Sequence, residues 1–242
     1  MGSTSETGHA VNYVNFQTLI SRCTGYGTRY NTNNTNIKLV NMSAIGSNVG
    51  SAIEGITTAK PAWSNAINIR QTIFADMVPL STRVINAFDA TENVTKKQVD
   101  DARTIIRKIR GERKSKKVVT PSSDDAAQIS ASQQSYANQM LHFTELIGIV
   151  SAEPNYLPNE TELQVAQLQA FQQSMGNSFD AVNTAQNPYL AALATRNNLM
   201  YAETTGLVDV ALEAKKYVKS VSAIKKEEFK QISGLKFRRP TK

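Results

Sequence analysis

The chain has 242 residues, a mass of 26.5 kDa and a formal net charge of +7, with 40 % hydrophobic, 7 % aromatic and 19 % charged residues, the balance of an ordinary globular protein. A single cysteine, Cys23, excludes a disulfide scaffold, a zinc knuckle and any CxxC redox site, and two histidines, His9 and His142, leave little for a His-based metal set or triad. No apolar run approaches the roughly 18 residues of a membrane span, and the first residues lack the basic and apolar regions of a secretory signal, so the expected location is the cytoplasm.

Charge is segmented along the chain. Residues 1–102 are nearly balanced, residues 103–119 carry 8 basic side chains against 1 acidic, residues 120–214 carry 1 basic against 10 acidic, and residues 215–242 carry 10 basic against 2 acidic. Such a pattern attracts a polyanion, steers one copy of the protein onto another, or is simply the solvated face of basic helix ends.

In chain order, residues 1–10 are rich in Ser, Thr and Gly and read as a disordered start. A first helix is expected from about Asn12 to Arg22, with Val14, Phe16 and Leu19 on its apolar face. The cluster at residues 31–36, four Asn and two Thr, favours turns and caps. Then Val49, Ile53, Ile56, Lys60, Trp63, Ile67, Arg70, Phe74 and Met77 alternate spacings of four and three, a heptad seam with two polar interruptions. It predicts one helix over about 37–76, roughly 60 Å long, bent or interrupted at Pro61. Pro79 reads as the first turn of a new helix. Another is expected over about 95–110, where Val99, Ala102, Ile105, Ile106 and Ile109 line up opposite a basic face. Residues 111–129, basic and then polar, read as a linker.

The second half echoes the first. A shift of 126 places Asn33 on Asn159, Thr35 on Thr161, Gly50 on Gly176 and Arg70 on Arg196, and it pairs apolar Ile37/Leu163, Met42/Leu168, Val49/Met175, Ile56/Val182 and Trp63/Tyr189. The second seam, Met175, Phe179, Val182, Gln186, Tyr189, Leu193, Arg196 and Met200, repeats the spacing with its polar interruptions in register. This predicts an all-α, elongated helical bundle of two tandem pseudo-repeated modules with long helices, residues 11–110 and 130–237, followed by a basic tail at 238–242.

Five segments, Pro79-Leu-Ser-Thr-Arg-Val-Ile-Asn-Ala87, Ile129-Ser-Ala-Ser-Gln-Gln-Ser-Tyr136, Tyr156-Leu-Pro-Asn-Glu160, Tyr217-Val-Lys-Ser-Val221 and Phe229-Lys-Gln-Ile-Ser-Gly-Leu-Lys-Phe237, resemble an uncharacterised family of bacterial all-helical proteins. The resemblance implies a helical bacterial protein and brings no activity, cofactor or site residue with it.

Chemistry-bearing motifs are missing. There is no GxxxxGK[ST] or GxGxxG phosphate cradle, no HExxH or DxDxDG, and no pair of ExxH motifs for a di-iron bundle, so neither catalysis nor a cofactor is expected. Cys23 reads as a small buried residue and His142 as a packed or capping side chain. Trp63 and Tyr189, at matching seam positions, are core anchors or, less simply, a ligand-stacking pair. Arg70 and Arg196 interrupt apolar seams, which leaves three roles: pairing with a carboxylate to fix register, snorkelling to solvent, or holding an anion. Arg103, Arg107 and Arg110 share a helical stripe that Arg113, Lys114, Lys116 and Lys117 extend, and Arg238 and Arg239 add charge near the other basic end. These are candidate contacts for a partner or a polyanion. The expected function is a non-enzymatic structural or protein-interaction protein that associates with itself or with another protein. The alternative is nonspecific nucleic-acid binding through residues 103–119 and 225–242.

Overall fold

The structure, a computed structural model, describes residues 5–111 and 135–240. Among them are seven α-helices, α1 (Ser5–Gly25), α2 (Leu39–Asp89), α3 (Lys96–Arg110), α4 (Tyr136–Ser151), α5 (Val165–Tyr201), α6 (Leu207–Ser220) and α7 (Lys226–Ser233), with short 3-10 turns at Gly27–Arg29, Thr35–Ile37 and Thr161–Leu163 and no strand. The protein is all-helical, as the periodicity predicts.

Local chemistry sets several helix ends. In the Asn/Thr cluster, the Asn34 side chain accepts from Asn36 N–H at 3.0 Å and opens the turn that leads into α2. α3 begins with a capping box, where Gln98 Oε1 accepts from Thr95 N–H at 2.7 Å, and ends at Gly111 in the left-handed region, φ 70°. At α7 the Glu228 carboxylate likewise accepts from Lys225 N–H at 2.9 Å.

Two helices differ from expectation. α1 begins at Ser5 rather than near residue 12, because His9 is buried and its Nδ1 lies 2.6 Å from the Tyr201 hydroxyl, which anchors the first turns. α2 is one helix of 51 residues that runs through both Pro61 and Pro79, and α5 runs through Pro188. Each proline is exposed, and the carbonyl it deprives of a donor belongs to an exposed residue four back, Thr57, Ala75 or Thr184, so water takes the lost bond and the helix continues. Just after Pro79, the Ser81 and Thr82 hydroxyls donate to the Met77 and Val78 carbonyls at 2.7 and 3.0 Å. The expected linker 111–129 lies outside the described residues apart from Gly111.

The chain divides into two compact units, one of Met1–Trp63 with Ala185–Lys242 and one of Ser64–Thr184. The segments 11–110 and 130–237 are thus each shared between units, because α2 and α5 each carry two separate core faces. In the first unit Met42 and Val49 of α2 join Phe16 and Leu19 of α1, Met200 of α5 and Leu207 and Val210 of α6, all fully buried. In the second, Phe74, Met77, Val84 and Phe88 of α2 join Ile106 and Ile109 of α3, Phe143 and Leu146 of α4 and Met175 of α5. Burying side chains of this size contributes about 1.5–3 kcal/mol each.

The two cores use matching devices. The Tyr30 hydroxyl donates to the Ile37 carbonyl at 2.7 Å, and the Tyr156 hydroxyl donates to the Leu163 carbonyl at 3.0 Å. Where α1 faces α2, Gln17 and Tyr13 sit over Gly46 and Gly50, and a β-carbon on either glycine would stand 2.8 or 2.7 Å from them. Where α4 faces α5, sizes are exchanged: the long Gln172 donates to the short Thr144 at 2.7 Å, and only Met140 approaches Gly176.

Candidate functional site

Trp63 and Tyr189 meet in the first unit. Their rings stack with centroids 5.1 Å apart and planes 18° apart, and the buried Trp63 Nε1 has no hydrogen-bond acceptor among the described residues. In the second unit Arg70 roofs an aromatic cluster: its guanidinium lies 4.8 Å from the Tyr136 ring centroid and 5.8 Å from that of Phe179, and both rings pack on Phe74. No carboxylate among the described residues pairs with Arg70, and its buried Nε has no acceptor, so a cation–π contact stands where an ion pair was one expectation. Arg196 is placed differently: its Nε and Nη2 donate to the adjacent Asn197 side chain at 3.2 and 2.9 Å. The two seam arginines therefore have unlike surroundings.

The basic stripe of α3 is engaged within the chain. Arg103 pairs with Asp89 at 2.9 Å and Asp100 at 3.7 Å, Arg107 donates to Thr104, Arg110 donates to Thr82, and Lys108 reaches Glu145 at 3.8 Å. Arg113, Lys114, Lys116 and Lys117 lie outside the described residues. His142, also buried, places Nδ1 3.2 Å from the same Glu145 carboxylate.

The basic C-terminal segment forms a strap on the first unit. Asn12, 1 % exposed, donates from Nδ2 to the Arg238 carbonyl at 2.7 Å and accepts Arg238 N–H at 3.0 Å, pairing with the strap as one strand pairs with another. Asn15 donates to the Lys236 carbonyl, and Lys215 donates to the Ser233 and Leu235 carbonyls at 3.0 and 2.7 Å; burial lowers the basicity of this ammonium. Arg239 pairs with Asp209 at 2.8 Å and holds that carboxyl below its usual range. Nearby, Arg29 grips Glu228 through two bonds of 2.8 and 2.9 Å, which, with Lys225 N–H, holds the Glu228 carboxyl down to about 2. Asn12, Arg29, Asp209 and Glu228 carry no motif, since their partners lie far along the chain; the one sequence hint is a polar Asn12 on the helix face that carries Phe16 and Leu19.

Burial pushes the Cys23 thiol up to about 12, which keeps it protonated and unreactive. Among the described residues no group of three His, Cys, Asp or Glu side chains could hold a metal ion, and no helix is long and apolar enough to cross a membrane. The second unit does contain an open hollow of about 590 Å³ between the C-terminal end of α2 and residues 155–163. Arg83, Ala87, Thr91, Leu157 and Glu160 line it, Leu157 is 82 % exposed at its rim, and Arg83 is held by Glu162 at 2.7 Å. The chain matches no family model, no curated protein and no solved structure.

Proposed function

We propose that this is a non-enzymatic structural or protein-interaction protein, built from two pseudo-repeated helical modules, that associates with copies of itself through helical surfaces. The reading of it as a bacterial cytoplasmic protein belongs to the same proposal. The matched Tyr30 and Tyr156 bonds and the equivalent 3-10 turns at Thr35–Ile37 and Thr161–Leu163 support the duplication. What favours protein association over nucleic-acid binding is the commitment of three of the described cations: Arg103, Lys108 and Arg239 each already hold a carboxylate of the chain. A phosphate backbone would have to compete for each of them. Meanwhile Val11 and Val14, one turn apart on α1, are 52 % and 60 % exposed and offer an apolar contact.

Light scattering over a concentration series tests the reading. Mass that grows with concentration, and falls back in a Val11→Lys/Val14→Lys variant, is the expected result. A monomer at every concentration overturns it. Binding to plain duplex DNA near micromolar affinity that weakens steeply with salt would instead establish the nucleic-acid alternative.

A further inference from the structure

The hollow in the second unit has a counterpart in the first that is filled from within the chain. The shift of 126 that relates Tyr30 to Tyr156 also sets α6 residues 207–218 on α2 residues 81–92, and the burial patterns agree: Val84 and Val210, Ile85 and Ala211, Phe88 and Ala214 are buried pair by pair. Thr91 then occupies the place of Tyr217, Ala90 that of Lys216 and Ala87 that of Glu213.

In the first unit, the Tyr217 ring packs edge-on against Tyr30 at 5.2 Å, its hydroxyl accepts Asn31 N–H at 3.2 Å, and Asn34 donates to Glu213 at 3.2 Å. In the second, Phe88 gives Tyr156 a ring partner at 6.0 Å from within the core, but every other part is missing. Thr91 turns its hydroxyl back onto the Ala87 carbonyl at 2.9 Å, and Leu157 N–H, which corresponds to Asn31 N–H, makes no hydrogen bond among the described residues. Glu160, in the place of Asn34, lines the hollow and makes no ion pair among the described residues, because the Arg83 guanidinium that shares the hollow is held by Glu162.

We propose that this hollow docks a tyrosine side chain of a partner protein, carried beside a lysine or arginine. The inference rests on the duplication proposed above. The incoming phenol takes the place that Tyr217 fills in the other unit and accepts Leu157 N–H, while the neighbouring cation meets the Glu160 carboxylate, at the position from which Asn34 contacts Glu213 in the other unit. The volume of about 590 Å³ exceeds one ring and leaves room for the flanking backbone.

The test is a titration of the full, isotope-labelled chain followed by amide NMR, with p-cresol, toluene and the blocked dipeptides Lys-Tyr and Glu-Tyr as probes. Saturable shifts confined to residues 83–91 and 155–163 are expected for p-cresol and Lys-Tyr. Toluene and Glu-Tyr should bind about 3- to 10-fold more weakly, the span of one hydrogen bond or one paired charge. Glu160→Gln should erase the preference between the dipeptides, and Thr91→Tyr should fill the hollow and abolish binding. Absence of saturable shifts in the wild type, or equal binding of toluene and p-cresol, overturns the proposal. Tyr217→Thr examines the duplication separately. A new p-cresol site near residues 31–37 in that variant upholds the equivalence even if the wild-type hollow proves empty of function. A folded variant without one removes the equivalence, and with it this argument for the hollow.

Discussion

Arg70 shows how one side chain settles between competing forces. A guanidinium on an apolar seam has to be compensated, and here the compensation comes from the faces of Tyr136 and Phe179 instead of a carboxylate. Removing it therefore strands no buried anion, and the 3–5 kcal/mol that breaking a buried ion pair costs does not apply. Arg70→Ala should lower stability by about 1–2 kcal/mol through lost stacking and stem packing. Arg70→Met, which fills the space and removes the unsatisfied Nε, should stay within about 1 kcal/mol of wild type, and Arg196→Met within about 0.5 kcal/mol; urea midpoints of the three variants measure this. The tyrosine pair gives a second prediction. Tyr30→Phe and Tyr156→Phe each orphan a buried carbonyl, Ile37 or Leu163, and each should cost about 1–2 kcal/mol by the same urea assay. Costs differing by more than about that amount would mean that the two hydroxyls are not equivalent.

At the level of elements, the C-terminal strap depends on a few polar contacts, and these can be removed singly. Asn12→Ala leaves the Arg238 N–H and carbonyl without partners, so trypsin should cut after Lys236 or Arg238 faster than in the wild type while cleavage elsewhere keeps its rate. Acid should loosen the neighbouring α7. The Glu228 carboxyl titrates at about 2 in the folded chain, below the roughly 4.3 of an unfolded glutamate, so its contribution is complete above that higher value and is lost as pH falls through about 2. Amide shifts of α7 followed from neutral pH downward should report that loss, and Arg29→Gln should move it toward pH 4. None of this was legible beforehand. The seam spacing announced the long helices, the turn residues announced where α2 begins, and the apolar stripe announced α3, because all three are local. The continuity of α2 through Pro61 and Pro79 was not legible, since it depends on which carbonyls face water. The strap and the Arg29–Glu228 grip join residues that only the fold brings together, and Arg70 could choose rings over a carboxylate only once α4 and α5 were beside it.

For the molecule as a whole, the all-helical class followed from composition and periodicity, while the division into units did not. Spacings of four and three reveal which face of α2 is apolar and say nothing about which helices cover its two ends. The hollow was less legible still, because Thr91, Ala90 and Ala87 line it with short side chains, and short side chains on a helix face have no motif. The make-up of the units also orders the events of synthesis. Ser64–Thr184 is one uninterrupted stretch, so its core can close as soon as that stretch has left the ribosome. The other unit packs Phe16 and Leu19 with Met42 and Val49 of α2 and also with Leu207 and Val210 of α6, so α1, made before the rest of that unit, keeps part of its apolar face uncovered until α6 has followed. During that interval the open part of α1 is a site for a chaperone, and a ribosome stalled before residue 207 holds up the earliest helix of that unit together with its latest.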